Sequence, residues 1–150
     1  MSSGDEPRFL GEYSPRLDEK GRLILPVKYR EKLAGGLILT KGQERCLYVY
    51  PTAQFDHVVQ QIRAAPVTDK KVRDFARVLL GGASDEIPDK QGRITIPAHL
   101  RQYAGLERDV TVAGVGARLE IWEATAWSNF IANADQHYAE QAEEVIPGVL

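Results

Sequence analysis

The chain carries one nine-residue pattern twice, and this repeat constrains its fold more than any other feature. In each copy an Asp is followed by three residues, an Arg, alternating positions that are mostly apolar, and a Pro, at 18–26 and again at 89–97. The copies are offset by 71 positions, and the match extends to Arg30 and Arg101, four residues past each Pro. A constant offset over so many shared positions indicates a duplicated half-domain.

Length and cysteine content set broad limits on the kind of protein. A chain of 150 residues is long enough to bury a real core. Cys46 is the only cysteine, so no intramolecular disulfide can form, which fits a reducing compartment. No apolar stretch approaches the roughly 20 residues that span a bilayer. We therefore expect a cytoplasmic protein.

Charge is distributed unevenly along the chain. The net charge of −2 argues mildly against a nucleic-acid partner, because phosphate neutralisation needs basic residues. Residues 1–75, however, hold 13 Lys and Arg against 10 Asp and Glu, whereas residues 76–150 hold 6 against 11. A basic face can therefore coexist with an acidic total.

Each copy of the pattern predicts a tight hairpin turn, at 18–21 and at 89–92. Asp is favoured at the first position of a type I turn, and the Gly three residues later can adopt the left-handed conformation of a bulged hairpin. Short strands are expected next, at 22–25 and 93–96. Alternation along a strand places each Arg on the face opposite the main apolar side chains.

The rest of the chain predicts an α+β, β-rich fold with peripheral helices. Paired strands are expected at 37–40 with 46–50 and at 109–113 with 118–122, and apolar residues with helical spacing follow each pair. The chain divides into a disordered N-terminus (1–8), a first half (9–64), a linker helix (65–82), a second half (83–130), and a C-terminal helix and tail (131–150). One half alone would bury too little surface to be stable, so we expect the two halves to interlock.

Both patterns resemble the MraZ family, bacterial regulators of the division and cell wall gene cluster within the AbrB-like superfamily of swapped-hairpin DNA-binding proteins. The resemblance runs from about Phe9 to Trp127. It rests on Leu17-Asp18-x-Lys20-Gly21-Arg22, Pro26-x-x-x-Arg30 and Asp89-x-x-Gly92-Arg93-x-x-Ile96-Pro97-x-x-Leu100-Arg101-x-x-Ala104-Gly105-Leu106.

The resemblance implies a fold, an assembly and a ligand. Residues 9–64 and 83–130 would be AbrB-like halves of one double-split β-barrel. Several chains would form a homo-oligomeric ring that binds direct repeats of double-stranded DNA in the promoter of its own operon. The protein would then be a nucleoid-associated transcription repressor.

In that family the Asp-x-x-x-Arg signature marks the DNA-contacting surface, which here maps onto Asp18, Arg22, Asp89 and Arg93. Independently of the resemblance, Arg can donate two hydrogen bonds to guanine or clamp phosphate. An Asp four residues earlier can hold the guanidinium by an ion pair and orient it before DNA arrives. The other DNA-binding candidates, through phosphate contact or close backbone approach, are Lys20, Gly21, Lys28, Arg30, Lys90, Gly92 and Arg101.

The same residues have plainer explanations. A single Asp-x-x-x-Arg can be only a turn with a solvated ion pair, which contributes little energy. Arg30 and Arg101 could equally pair across the interface between the halves. The alternative function is a ring-forming scaffold or protein-binding module without DNA specificity, which the acidic total favours. A related AbrB-like antitoxin, usually with one motif per chain, is disfavoured by the duplication.

No catalytic, metal or cofactor site can be assembled from the sequence. His57, His99 and His137 are scattered without metal-ligand spacing, and Cys46 lies in an apolar strand, where a buried thiol is expected. We therefore expect no enzyme activity, no cofactor, no small-molecule substrate and no membrane partner.

Overall fold

A computed structural model describes residues 7–149 of the chain. Over these residues the chain forms eight strands, five α-helices and a short 3-10 turn at Gln43–Arg45. The strands are β1 (Phe9–Tyr13), β2 (Arg22–Ile24), β3 (Leu37–Lys41), β4 (Leu47–Pro51), β5 (Ser84–Glu86), β6 (Arg93–Thr95), β7 (Val110–Gly116) and β8 (Leu119–Glu123). The helices are α1 (Val27–Leu33), α2 (Thr52–Ala64), α3 (Lys70–Gly81), α4 (Ala98–Ala104) and α5 (Ala124–Glu140).

The strands form two antiparallel sheets. Six of them make one sheet in the order β1-β7-β8-β4-β3-β5, and β2 pairs with β6 in a separate two-stranded ribbon. The expected α+β class is therefore confirmed. Within the described residues the outer strands β1 and β5 do not pair with each other, so strand hydrogen bonds close no barrel. The double-split β-barrel implied by the family resemblance is not confirmed.

Strands from the two copies of the repeat exchange partners. The first-copy strand β1 pairs with β7 of the second copy, β5 of the second copy pairs with β3 of the first, and β4 meets β8 at the centre of the large sheet. When β1, β3 and β4 are exchanged with β5, β7 and β8, the strand order reads the same from the opposite edge of the sheet. A pseudo-two-fold axis therefore passes between β4 and β8. This exchange lets two short units bury their apolar surfaces against each other.

One core joins the ribbon to the large sheet. Leu23 and Ile94, which pair across the ribbon, belong to the same buried cluster as Leu39 of β3 and Val112 of β7. Burial of one such side chain stabilises the fold by roughly 1.5–3 kcal/mol. The ribbon therefore lies on the inner face of the sheet. On the opposite, outer face, a second cluster built on Ile38, Tyr50 and Phe55 packs α2 and α3 against β3 and β4.

The elements predicted from the sequence are present, with shifted ends. The strands expected at 22–25 and 93–96 end one residue earlier, although the backbone N–H groups of Leu25 and Ile96 still donate to Gly92 and Gly21 of the opposite turns. The linker helix begins at Lys70. The expectation of a disordered segment at 1–8 falls mostly on residues 1–6, which lie outside the described residues.

Candidate nucleic-acid interface

The first hairpin turn is organised by the carboxylate of Asp18. Its Oδ1 atom accepts hydrogen bonds from the backbone N–H groups of Lys20 and Arg22, each at 2.9 Å, and its Oδ2 atom accepts one from Arg22 Nε at 2.7 Å. Gly21 closes the turn in the left-handed region, with φ of 76° and its N–H donated to the carbonyl of Asp18 at 3.0 Å. One side chain therefore both builds the turn and holds the arginine.

The second turn repeats this geometry closely. Asp89 accepts from the backbone of Gln91 and Arg93 at 2.9 Å and from Arg93 Nε at 2.7 Å, and Gly92 has φ of 78°. Equal distances in two turns with different middle residues indicate that the Asp, Gly and Arg set the conformation.

Hydrogen bonding lowers the pKa of both carboxylates. For Asp18 and Asp89 the first cause is the backbone N–H of the Arg four residues later, and each pKa lies below its usual value near 3.8. A depressed pKa in the folded state means that the stabilising contact is fully present above pH 3.8 and is lost only as the pH falls through the lowered value. Both ion pairs are therefore intact at neutral pH.

The ribbon brings the two arginines onto one face. Arg22 pairs with Thr95 and Ile24 pairs with Arg93, so these four side chains share the outward face while Leu23 and Ile94 face the core. We call these four residues the ribbon face. Arg22 and Arg93 occupy diagonal positions, about 7–8 Å apart between Cα atoms. Duplication and strand exchange thus place two equivalent arginines on a single surface.

Each arginine keeps one edge of its guanidinium available. The Nε atom is held by the Asp, and within residues 7–149 neither Arg22 nor Arg93 makes another side-chain hydrogen bond. The two side chains are 30% and 29% exposed. The terminal Nη1 and Nη2 groups can therefore donate together to two acceptors, such as guanine O6 and N7 or two phosphate oxygens.

Arg30 and Arg101 lie against the turn of the opposite copy. A Cβ added to Gly92 would come within 2.5 Å of Arg30 Nε, and one added to Gly21 within 1.4 Å of Arg101 Nη1. Arg30 Nε also donates to the carbonyl of Leu25 at 3.0 Å. These contacts favour the interface role for both arginines.

The two glycines are buried within the turns. The N–H of Gly92 donates to the carbonyl of Asp89 at 2.9 Å, and that of Gly21 is used in the same way. These groups are therefore occupied, and the geometry favours a role for both glycines in shaping the turns rather than in direct phosphate contact.

The other predicted phosphate contacts are exposed lysines. Lys20 and Lys90 lie at the tips of the two turns, and Lys28 lies on α1. Sequence reasoning missed Glu107 and Arg108, which line a surface depression of about 530 Å³ beside the first turn. They follow α4, far along the chain, and only strand exchange brings them to this turn, so no local pattern could have predicted them.

The remaining candidates from the sequence lie outside this surface. Cys46 is buried, and burial raises the pKa of its thiol to about 12. Among the described residues no three His, Cys, Asp or Glu side chains cluster closely enough to hold a metal ion. Over the same part of the chain no helix has the length and apolarity to cross a membrane.

Comparison with known proteins places this geometry in a family. The sequence model described as "MraZ protein, putative antitoxin-like" matches the chain twice, at residues 8–78 and 79–147. The chain belongs to the MraZ family. It is 62% identical over 142 residues to the transcriptional regulator MraZ of Thermobifida fusca, covering 95% of this chain and 99% of that protein. It is also 58% identical over 141 residues to the transcriptional regulator MraZ of Micrococcus luteus, covering 94% and 99%. The two MraZ matches meet inside α3, so each contains one Asp-x-x-x-Arg turn.

Proposed function

We propose that the protein is a sequence-specific DNA-binding transcriptional regulator that reads DNA with the ribbon face. The observation that carries this proposal is the pair of arginines, each oriented by a carboxylate and each without another side-chain hydrogen bond among the described residues. Membership of the MraZ family and the name of the relatives, transcriptional regulator, support the same conclusion.

The two-stranded form of the ribbon suits the major groove. That groove admits a two-stranded β-ribbon, and arginine contact with guanine O6 and N7 is the commonest specific contact there. Arg22 and Arg93 would each contact a guanine, separated along the duplex by about two base-pair steps, given their diagonal spacing. Lys20, Lys28 and Lys90 would contact phosphates, which adds affinity without sequence preference.

One chain offers only a small contact surface, so we propose that several chains act together. A homo-oligomeric ring would present ribbon faces side by side to direct repeats in the promoter of its own operon, with one repeat per helical turn of about 10 bp. Linked binding raises the effective concentration of each later contact. The protein would repress that operon in the cytoplasm, at the nucleoid. In this proposal the ribbon and the six-stranded sheet together form the double-split barrel of the family.

The test is binding to a duplex that contains the DNA upstream of the chain's own gene, measured by fluorescence anisotropy. Arg22→Ala and Arg93→Ala should each weaken binding by about 1–3 kcal/mol, or roughly 5- to 140-fold. The double variant should reduce binding to the level of a shuffled duplex. Arg63→Ala, at an exposed position on α2, is the matched control and should bind as the wild type does.

Salt dependence separates this function from its alternative. Binding through several phosphates should weaken steeply between low and moderate salt, whereas a protein-binding scaffold without DNA specificity should show no preference for the upstream duplex. Equal affinity of the wild type and both arginine variants would exclude the proposed role. Circular dichroism should show all variants folded, because both arginines lie at the surface.

A further inference from the structure

An apolar groove lies on the outer face of the sheet, away from the ribbon. Its volume is about 680 Å³, and it is bounded mainly by α2, α3, the end of β3 and β4. Apolar residues of both helices, including Ile62, Val72 and Phe75, form its walls. Tyr48 and Tyr103 also line it. Phe75 and Val78 are about half exposed, at 48% and 51%. We call this feature the outer groove.

The rim of the outer groove is positively charged. Lys41, Lys71 and Arg118 line it, and no Asp or Glu among the described residues does. Arg118 lies 4.0 Å over the ring of Tyr48 and donates from Nη2 to Glu120 at 2.9 Å, so most of the uncompensated positive charge comes from the two lysines. The groove therefore suits a ligand with apolar side chains beside carboxylates.

The segment that follows α5 has this chemistry. Between 141 and 149 it combines Glu143 and Glu144 with Val145, Ile146 and Val149, and these three apolar side chains are exposed. Its backbone hydrogen bonds are local, from Gly148 to the Glu144 side chain and from Val149 to Ile146. We call residues 141–149 the acidic tail. The fold leaves its apolar residues without a buried environment.

The repeat accounts for the exposure of the acidic tail. Shifted by 71 positions, α2 coincides with α5, and α3 coincides with the acidic tail. In the first copy α3 packs back against the sheet and buries Leu79. Thr40 Oγ1 of β3 donates a hydrogen bond to the backbone carbonyl of Leu79. In the second copy α5 packs Trp127 and Phe130 near Trp122, whereas its last turns are exposed. A 17-residue helix about 25 Å long thus carries the tail away from its own sheet.

From these complementary surfaces we infer that the outer groove binds the acidic tail of a second copy of the chain. Val145 and Ile146 pack against the apolar walls, and Glu143 and Glu144 form ion pairs with lysines of the rim. The contact joins unlike surfaces, so it adds subunits head to tail and closes into a ring when the rotation permits. This inference rests on the proposed ring but not on DNA recognition, so the contact can fail while the reading of DNA by the ribbon face stands.

Cysteine pairs test the contact in the full chain. The double variant Val78→Cys/Ile146→Cys places one thiol in the groove wall and one in the tail, at positions 51% and 60% exposed. Treated with a short bismaleimide, it should give a ladder of covalent oligomers on a denaturing gel. Cys46 is buried with a raised pKa, so the wild type should not cross-link. The matched control is Ile87→Cys/Ile146→Cys, because Ile87 is exposed but does not line the groove.

Light scattering provides a second measurement. Val78→Asp and Ile146→Asp should each weaken self-association by roughly 10- to 150-fold, the equivalent of one buried Ile or Val side chain. Ile87→Asp should leave the oligomer unchanged. Cross-linking only within one chain would show that the tail enters its own groove, and cross-linking no greater than in the control would show that the groove does not bind it. Either result overturns the inference. DNA binding is tested separately, because it depends on Arg22 and Arg93 and not on the groove.

Discussion

Replacing Asp18 with Asn should separate the two tasks of this side chain. An Asn oxygen can still accept the backbone N–H groups of Lys20 and Arg22, so the turn is retained. The amide NH2 group would then face Arg22 Nε where a carboxylate oxygen now accepts at 2.7 Å, and two donors cannot bond to each other. Asp18→Asn therefore releases the arginine without removing the turn. Asp18→Ala removes both contacts.

The expected effect on DNA recognition follows from the ordering of one arginine. Immobilising a long side chain on binding costs about 0.5–1.5 kcal/mol. In the free protein the ion pair already holds the arginine in place, so this cost does not reduce the affinity for DNA. Asp18→Asn should therefore lower the ratio of specific to non-specific affinity by about 2- to 12-fold, since 1.4 kcal/mol corresponds to a factor of ten. Asp89→Asn should have a similar effect at the second turn. Both variants also remove a negative charge that repels phosphate, so non-specific affinity should rise.

The assay is anisotropy with the upstream duplex and a shuffled duplex of equal composition, at two salt concentrations. Asp69→Asn is the matched control, because Asp69 caps α3 away from the ribbon and its loss changes the net charge equally. The control should change affinity for both duplexes by the same factor. If Asp18→Asn and Asp89→Asn also leave the affinity ratio unchanged, the carboxylates do not orient the arginines for DNA.

Two further substitutions test the ribbon. Gly92→Ala should destabilise the fold by roughly 1–2 kcal/mol in thermal unfolding because φ is positive. It should also weaken DNA binding, because the contact between the new Cβ and Arg30 would shift the turn that holds Arg93. Gly105→Ala, with positive φ but open space around it, should affect stability alone. Loss of DNA affinity in both would contradict this. Ile24, exposed beside Arg93, should contact a thymine methyl group, so replacing thymine by uracil in the duplex should weaken the wild type by about fourfold and Ile24→Thr by less. Equal weakening of both proteins would exclude the contact.

Local chemistry made the two turns predictable. An Asp that caps its own turn, a Gly in the left-handed region and an Arg on the outward face all follow from five consecutive residues, and the structure contains each of these features at Asp18 to Arg22. Apolar runs on either side of glycine-containing turns likewise predicted the strands that became β3, β4, β7 and β8. These features need no knowledge of distant parts of the chain.

Strand partners could not be predicted in the same way. β2 could bury Leu23 against either copy of the repeat, because both copies have the same apolar pattern. Hydrophobic periodicity therefore does not show whether the strands pair between the copies or within one copy. β5 has the sequence Ser-Asp-Glu and lacks the apolar residues that indicate a strand. The positions of Arg30 and Arg101 over the opposite glycines follow from the exchange. The outer groove depends on how α2 and α3 pack, which no local pattern specifies.

The pseudo-symmetry of the ribbon face bears on the kind of DNA site that the protein can read. A symmetric pair of arginines alone would bind a palindrome equally well in either orientation. The two-fold operation, however, exchanges Ile24 with Thr95, and Lys20 at one turn tip corresponds to Gln91 at the other. One half of the ribbon face is therefore apolar where the other carries a hydroxyl group, so the two orientations on DNA differ in energy. In the proposed ring, head-to-tail assembly would keep every ribbon in the same orientation, and direct rather than inverted repeats would be the sites that match it.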